Sequence, residues 1–149
     1  MNHLRDQVAV ARSVDDAQSR LESYFASLRG RDGVARMRLR VPLIADGVAL
    51  SLDRDVYVEA KRARDDDNLN DLIRISWKPE GSVVFPAFEG TLVVWSENDP
   101  RTSFIELDGG YKAPFGASGQ AFDAVIGHRM AQQTARQLLN DLKMALERP

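Results

Sequence analysis

The stretch from about Gly119 to Glu147 contains nothing that breaks a helix except Gly127, which costs about 1 kcal/mol against alanine. Ser118 stands where an N-cap is expected. A helix of that extent is on the order of 40 Å long at 1.5 Å per residue. A chain of 149 residues cannot hide such a rod end-on, so the helix has to lie across a sheet. One stripe of it reads Ala124, Gly127, Ala131, Ala135, Leu138, Leu142 and Ala145, spaced three or four apart. Small residues make up its first half and leucines most of its second. A further apolar patch, Phe122, Val125, Ile126 and Met130, lies on the other side of the first turns.

The sheet is legible in the middle of the chain, where the period changes from helical to alternating. In Ala35–Val41 apolar and basic residues alternate strictly, as in a half-buried strand. Pro42 disturbs the pattern, and Ala45-Asp46-Gly47 is prone to turn. Alternation resumes from Ala49 to Lys61, with Leu50, Leu52, Val56 and Val58 on one face. Residues 62–71, RARDDDNLND, are too charged to bury and read as a loop. Strands are expected at Leu72–Lys78, Glu89–Ser96 and Thr102–Tyr111, separated by Lys78-Pro79-Glu80-Gly81 and Glu97-Asn98-Asp99-Pro100. Such short breaks imply hairpins, hence an antiparallel meander.

Ahead of the meander, Gln7–Ala11 reads as a short strand and His3 as part of a frayed end. Ser13-Val14-Asp15-Asp16 has the spacing of a capping box with Asp in place of Glu. Leu21, Tyr24, Phe25 and Leu28 follow at helical spacing up to Gly30, placed as a C-cap glycine, so a helix is expected from about Val14 to Arg29.

Composition narrows the function. Twenty basic residues stand against 22 acidic ones, a net charge of −2, where a nucleic-acid binder would want a basic face. The absence of cysteine removes disulfides, thiol nucleophiles and thiolate metal sites. Two histidines, His3 and His128, are too few for a histidine zinc site. No cofactor motif is present, no apolar run reaches the roughly 20 residues of a membrane span, and MNHLRDQ lacks the apolar stretch of a signal peptide. The expectation is a single cytoplasmic domain, 1–149, of undetermined oligomeric state.

Strand, helix, a meander of at least five strands and one long terminal helix are the order of the α+β helix-grip fold. The likeness sharpens in Phe85-Pro86-Ala87-Phe88-Glu89-Gly90-Thr91-Leu92, in Thr102 through Leu107, and in Gly110-Tyr111-Lys112-Ala113-Pro114-Phe115-Gly116. Asp123 and the leucine-rich helix end complete it. These segments resemble the START-like (SRPBCC) superfamily of ligand carriers, lipid-transfer domains and small polyketide cyclases, and in particular its bacterial cyclase/dehydrase-like branch. In that branch a tyrosine and a proline-proline-x-glycine turn precede the terminal helix; here Ala113 replaces the first proline. The topology covers nearly the whole chain and the motifs about residues 85–145, with no catalytic residue among them.

The resemblance implies a cavity between sheet and helix that takes a small apolar or amphipathic, lipid- or polyketide-like, molecule. Ala124, Gly127 and Ala131 leave space for one, or merely allow close packing in a closed core. Trp77 runs in phase with Ile73 and Ile75, and Tyr111 with Ile105 and Leu107. Ile75, Trp77, Phe88 and Tyr111, with Ala124, Gly127 and Ala131, are the expected lining. The alternatives are a cyclase or dehydratase working in the same cavity, and a protein-interaction module using the Phe122–Met130 patch or an uncovered sheet edge. For chemistry, His128 borders the inner stripe and could move protons near neutral pH. Glu89, Glu106 and Arg74 form an acid–base set only if their faces converge, and the phase of Arg74 and Glu106 points them to solvent. Arg36, Arg38 and Arg40 are expected to pair with Asp53, Asp55 and Glu59 across strands, and Asp65-Asp66-Asp67 lacks the spacing of a calcium loop.

Overall fold

The computed structural model describes residues 2–45, 48–64, 71–80, 87–112 and 124–149, with the side chains of 41–45, 48–54 and 124–127 outside that description. The order is β1 (Asn2–Val10), α1 (Val14–Ser27), β2 (Ala35–Ala45), β3 (Val48–Arg64), β4 (Asp71–Pro79), β5 (Ala87–Trp95), β6 (Ser103–Lys112) and α2 (Ala124–Glu147). The strands form one antiparallel sheet in the order β1-β6-β5-β4-β3-β2. Consecutive strands from β2 to β6 are neighbours, as the short breaks require, and β1 adds to the far side of β6. β1 and β2 are therefore opposite edges, yet both pack against α2. Only a sheet curled into a half-barrel around the helix can do this, which is the helix-grip arrangement.

The curl has a local cause. Gly90 and Gly109 face each other across β5 and β6. A Cβ on Gly90 would run into the Asp108 carbonyl oxygen, and one on Gly109 into that of Glu89. Only hydrogen at both positions lets the two backbones come so close, a known device for bending a sheet.

Alternation then decides the core. Met37, Leu39, Val56, Val58, Ile73, Ile75, Trp77, Phe88, Leu92, Ile105, Leu107 and Tyr111 are buried on the concave face. α2 covers them with Met130, Ala131, Ala135, Leu138, Leu139, Leu142 and Leu146. Its only described buried hydroxyl, Thr134, is satisfied by the Met130 carbonyl at 2.8 Å. At 24 residues the helix is about 36 Å long. Basic side chains fasten it to β1. Arg136 pairs with Asp6 at 2.6 Å, and Lys143 donates to the Ala9 carbonyl at 2.9 Å.

α1 begins as expected: the Ser13 Oγ accepts the Asp16 N–H at 3.2 Å, and Asp15 and Asp16 sit at the positive end of the helix dipole. Ala17, Leu21 and Phe25 form its buried stripe. The helix stops earlier than the spacing predicts. Leu28, not Gly30, is the C-cap, and the Gly30 N–H is used instead in a turn, donating to the Val34 carbonyl at 2.9 Å. The left-handed residue of that turn is Gly33, with φ of 80°.

Other boundaries also move. β1 starts at Asn2 rather than Gln7, because its outward residues are polar and only the ladder to β6 reveals them as strand. His3 is thus no frayed residue, and its Nε2 lies 2.6 Å from Asp108. β2 continues through Pro42, which an edge strand tolerates because one side needs no ladder bond. Arg62–Arg64 and Asp71, assigned to a loop by charge, close the β3–β4 ladder, with Arg62 bonded to Asp71 at 2.8 Å. Arg38 and Arg40 face Asp55 and Asp53 as expected, but Arg36 faces Tyr57. Arg36 stacks on that ring and pairs with Asp32 at 3.0 Å, because β2 begins too late to meet Glu59. The expected turn at Asp46-Gly47, Asp65–Asp67, the N-cap Ser118 and the Gly119–Asp123 start of the long helix lie outside the described residues.

Candidate functional site

Register brings the aromatic residues together. Val58 is opposite Trp77, Trp77 opposite Phe88, and Phe88 opposite Tyr111, one row across four strands of the concave face. The Trp77 and Phe88 rings stack with centroids 4.4 Å apart and planes 18° from parallel. The Phe88 ring can lie flat there because the next row holds Gly90 and Gly109: added Cβ atoms would come within 2.8 and 2.7 Å of its Cζ. Ile75 sits in that next row, paired with Gly90. All these side chains are buried, Ile75 to 1%, Tyr111 to 2%, Trp77 and Phe88 to 3% exposure.

The row ends in a polar contact. The Tyr111 hydroxyl and Nδ1 of His128, on the first turns of α2, share a hydrogen bond of 2.7 Å. The imidazole itself is exposed. Burial pushes the Tyr111 hydroxyl above its ordinary value of about 10, so at neutral pH it is a phenol that can donate or accept. A phenol held against an exposed imidazole can orient a ligand oxygen or pass a proton to solvent. His128 was legible as a helix histidine bordering the inner stripe. Its bond to Tyr111 was not, since the partners are 17 positions apart in different elements.

Of the residues expected to line a cavity, Ile75, Trp77, Phe88 and Tyr111 share this face and Ala131 is buried in α2 above the sheet. The side chains of Ala124 and Gly127 lie outside the described residues. Glu89 is elsewhere. It is exposed on the convex face in register with Ser76, beside a depression of about 380 Å³ that also touches Glu59 and Lys112. β alternation puts it opposite in sense to Phe88, so it does not join His128. Arg74 is exposed, and Glu106 is held at 2.7 Å by Arg5, so the three-residue acid–base set does not form. Met130, assigned to an outer patch, is a core residue at 1% exposure. Its partners Phe122, Val125 and Ile126 lie outside the described side chains. A larger groove, about 760 Å³, runs between α1 and β3 at the other end of the sheet. Sequence reasoning missed it because it depends on where β2 starts.

Among the described residues no group of three or more His, Asp or Glu side chains could hold a metal ion, and no helix is long and apolar enough to cross a membrane. No protein-family model matches the sequence, and no curated protein does. Solved structures share the fold. A conserved protein from Geobacillus kaustophilus aligns with a TM-score of 0.54 at 14% identity, over 98% of this chain and 93% of that one. The Zhui aromatase/cyclase from Streptomyces gives 0.53 at 15% identity, over 97% and 91%. A Thermus thermophilus protein gives 0.52 at 20% identity, over 97% of each chain. Identities this low speak for the fold, and the fold is START-like.

Proposed function

On this START-like scaffold we propose that the protein binds a small apolar or amphipathic molecule, lipid- or polyketide-like, between the curled sheet and α2. The row of Trp77, Phe88 and Tyr111 with Ile75 is the floor, and Ala131 belongs to the roof. The observation that carries this reading is the Tyr111–His128 hydrogen bond at the end of an otherwise apolar row. Small-molecule sites combine an apolar lining with one or two placed polar groups. A ligand that removes roughly 300 Å² of apolar surface from water gains about 7–8 kcal/mol before ordering costs, which supports micromolar binding.

The test is native mass spectrometry of freshly purified protein, paired with a thermal-shift screen of fatty acids, sterols, isoprenoids and aromatic polyketides. A co-purified mass or a concentration-dependent shift supports the reading, and the shift should vanish in Ala131→Phe, which would put a ring into the proposed cavity. A bare mass with no shift across the screen counts against it.

A second reading has an observation in its favour. The same phenol–imidazole pair suits proton transfer on a bound polyketide, as in a cyclase or dehydratase, and one structural neighbour is an aromatase/cyclase. In that case His128→Ala abolishes turnover of a polyketide substrate while leaving its binding intact. A carrier tolerates the change.

A further inference from the structure

Among the described residues, the main chain of β3 lacks a second neighbouring strand along part of its length. The Glu80 N–H donates to the Asp55 carbonyl at 3.1 Å. In an antiparallel ladder that bond sets the parity: Asp55, Tyr57, Glu59, Lys61 and Ala63 turn their main-chain groups towards β4. Val56 and Val58 turn theirs the other way and meet Met37 and Ala35 of β2. Ala60 and Arg62 also turn that way, but β2 begins at Ala35, opposite Val58. Among the described residues no strand faces them.

The 760 Å³ groove lies along this open edge, between it and the last turns of α1. Phe25, Ala60 and Ile73 give it apolar walls, while five cations and two carboxylates border it. Of the cations, Arg36 is held by Asp32 and Arg62 by Asp71 and Glu22. Arg29, Lys61 and Lys78 have no carboxylate partner among the described residues. An unsatisfied strand edge beside an apolar wall and a cationic rim is a template for an incoming strand of opposite charge. A second copy of this chain does not fit: paired about Lys61 or about Arg62 it sets like charges face to face, and paired about Ala60 it needs Val58, which already bonds to β2.

We propose that the Glu59–Arg64 edge of β3 docks an acidic segment of a partner protein as an added strand. Alternate residues of that segment face Phe25 and Ile73, and the others reach Lys61 and Lys78. The groove meets the row only at Val58, leaves out Trp77, Phe88 and Tyr111, and does not depend on the ligand-binding reading.

The test uses the full chain and a capped hexapeptide of alternating valine and glutamate, with binding read by fluorescence anisotropy and amide hydrogen exchange. The expected result is saturable binding that slows exchange at Ala60 and Arg62 by at least about ten-fold. Lys61→Glu should weaken it about ten-fold. Ala60→Pro should do so as well, since that N–H points to the groove and serves no bond to β4. Should that variant not fold, the same peptide N-methylated on alternate amides tests the ladder on the unaltered protein and should bind at least about five-fold more weakly. Equal binding of the valine–lysine peptide, undiminished binding of the N-methylated one, or unchanged exchange at Ala60 and Arg62 overturns the proposal. So does hexanoate alone reproducing the protection, which would mark a site for small anionic amphiphiles instead.

Discussion

Replacing Gly109 by alanine tests how the sheet is curled and how the aromatic row is seated. The new Cβ would collide with the Glu89 carbonyl oxygen and come within 2.6 Å of the Gly90 Cα and 2.7 Å of the Phe88 Cζ. Carbon atoms are comfortable at about 3.5–4.0 Å, so close to 1 Å has to be found in two hydrogen-bonded strands and one ring. Overpacking of this kind costs about 1–3 kcal/mol. Displacing Phe88 from its stack on Trp77 adds about 0.5–1.5 kcal/mol. The sum, about 1.5–4.5 kcal/mol, lowers the melting temperature by about 3–18 °C for a chain of this size. Urea unfolding followed by tryptophan fluorescence measures the free energy, and near-ultraviolet circular dichroism reports the loss of the Trp77–Phe88 stack. In a Phe88→Ala background, Gly109→Ala should cost only the backbone's share, a favourable coupling of about 0.5–1.5 kcal/mol. A Gly109→Ala protein within about 0.5 kcal/mol of the parent, with unchanged aromatic dichroism, would refute the close approach of β5 and β6.

Arg12 caps α2 from outside the helix, donating to the Leu146, Glu147 and Arg148 carbonyls at 3.0, 3.2 and 2.9 Å. Arg12→Ala should lower stability by about 1–3 kcal/mol and speed amide exchange selectively in the last turn. Leu142 is fully buried between helix and sheet, and Leu142→Ala should cost about 2–5 kcal/mol in urea unfolding. Burial raises the hydroxyl pKa of both Tyr24 and Tyr111, with Asp141 adding to it at Tyr24. The folded state therefore holds protons that the unfolded state releases above about pH 10. The resulting stability is fully present below that pH and is lost as pH rises through the raised values. Tyrosinate absorbance should show Tyr24 and Tyr111 ionising late, and Tyr111→Phe should remove one late component.

Much of this architecture can be read from local pattern. Alternation from Ala35 onward sorts Met37 and Leu39 from Arg36 and Arg38, and turn residues such as Asp99, whose carboxylate accepts the Arg101 N–H at 2.9 Å, separate consecutive strands into hairpins. Helical spacing picks out Ala131, Ala135, Leu138 and Leu142, and Ser13 announces α1 through a bond three residues long. The in-phase aromatic residues Trp77 and Tyr111 are legible for the same reason, since period alone says which face a strand residue takes.

The errors have a common origin. β1 is longer than its apolar centre, Arg62–Arg64 belong to a strand, and Gly30 is not a helix cap, because each of those outcomes depends on a partner far along the chain. Glu89 falls away from His128 for the opposite reason: its phase was readable but its face had to be tied to a particular side of the sheet. Local pattern suffices for the elements, their order and most of their apolar faces, since those follow from periods of two and 3.6 residues and from caps within one turn. Three features come from long-range packing alone: the pairing of Gly90 with Gly109, the bond between Tyr111 and His128, and, among the described residues, the lack of a strand opposite Ala60 and Arg62. Each is set by register and curl, which are properties of pairs of segments and leave no mark within either one.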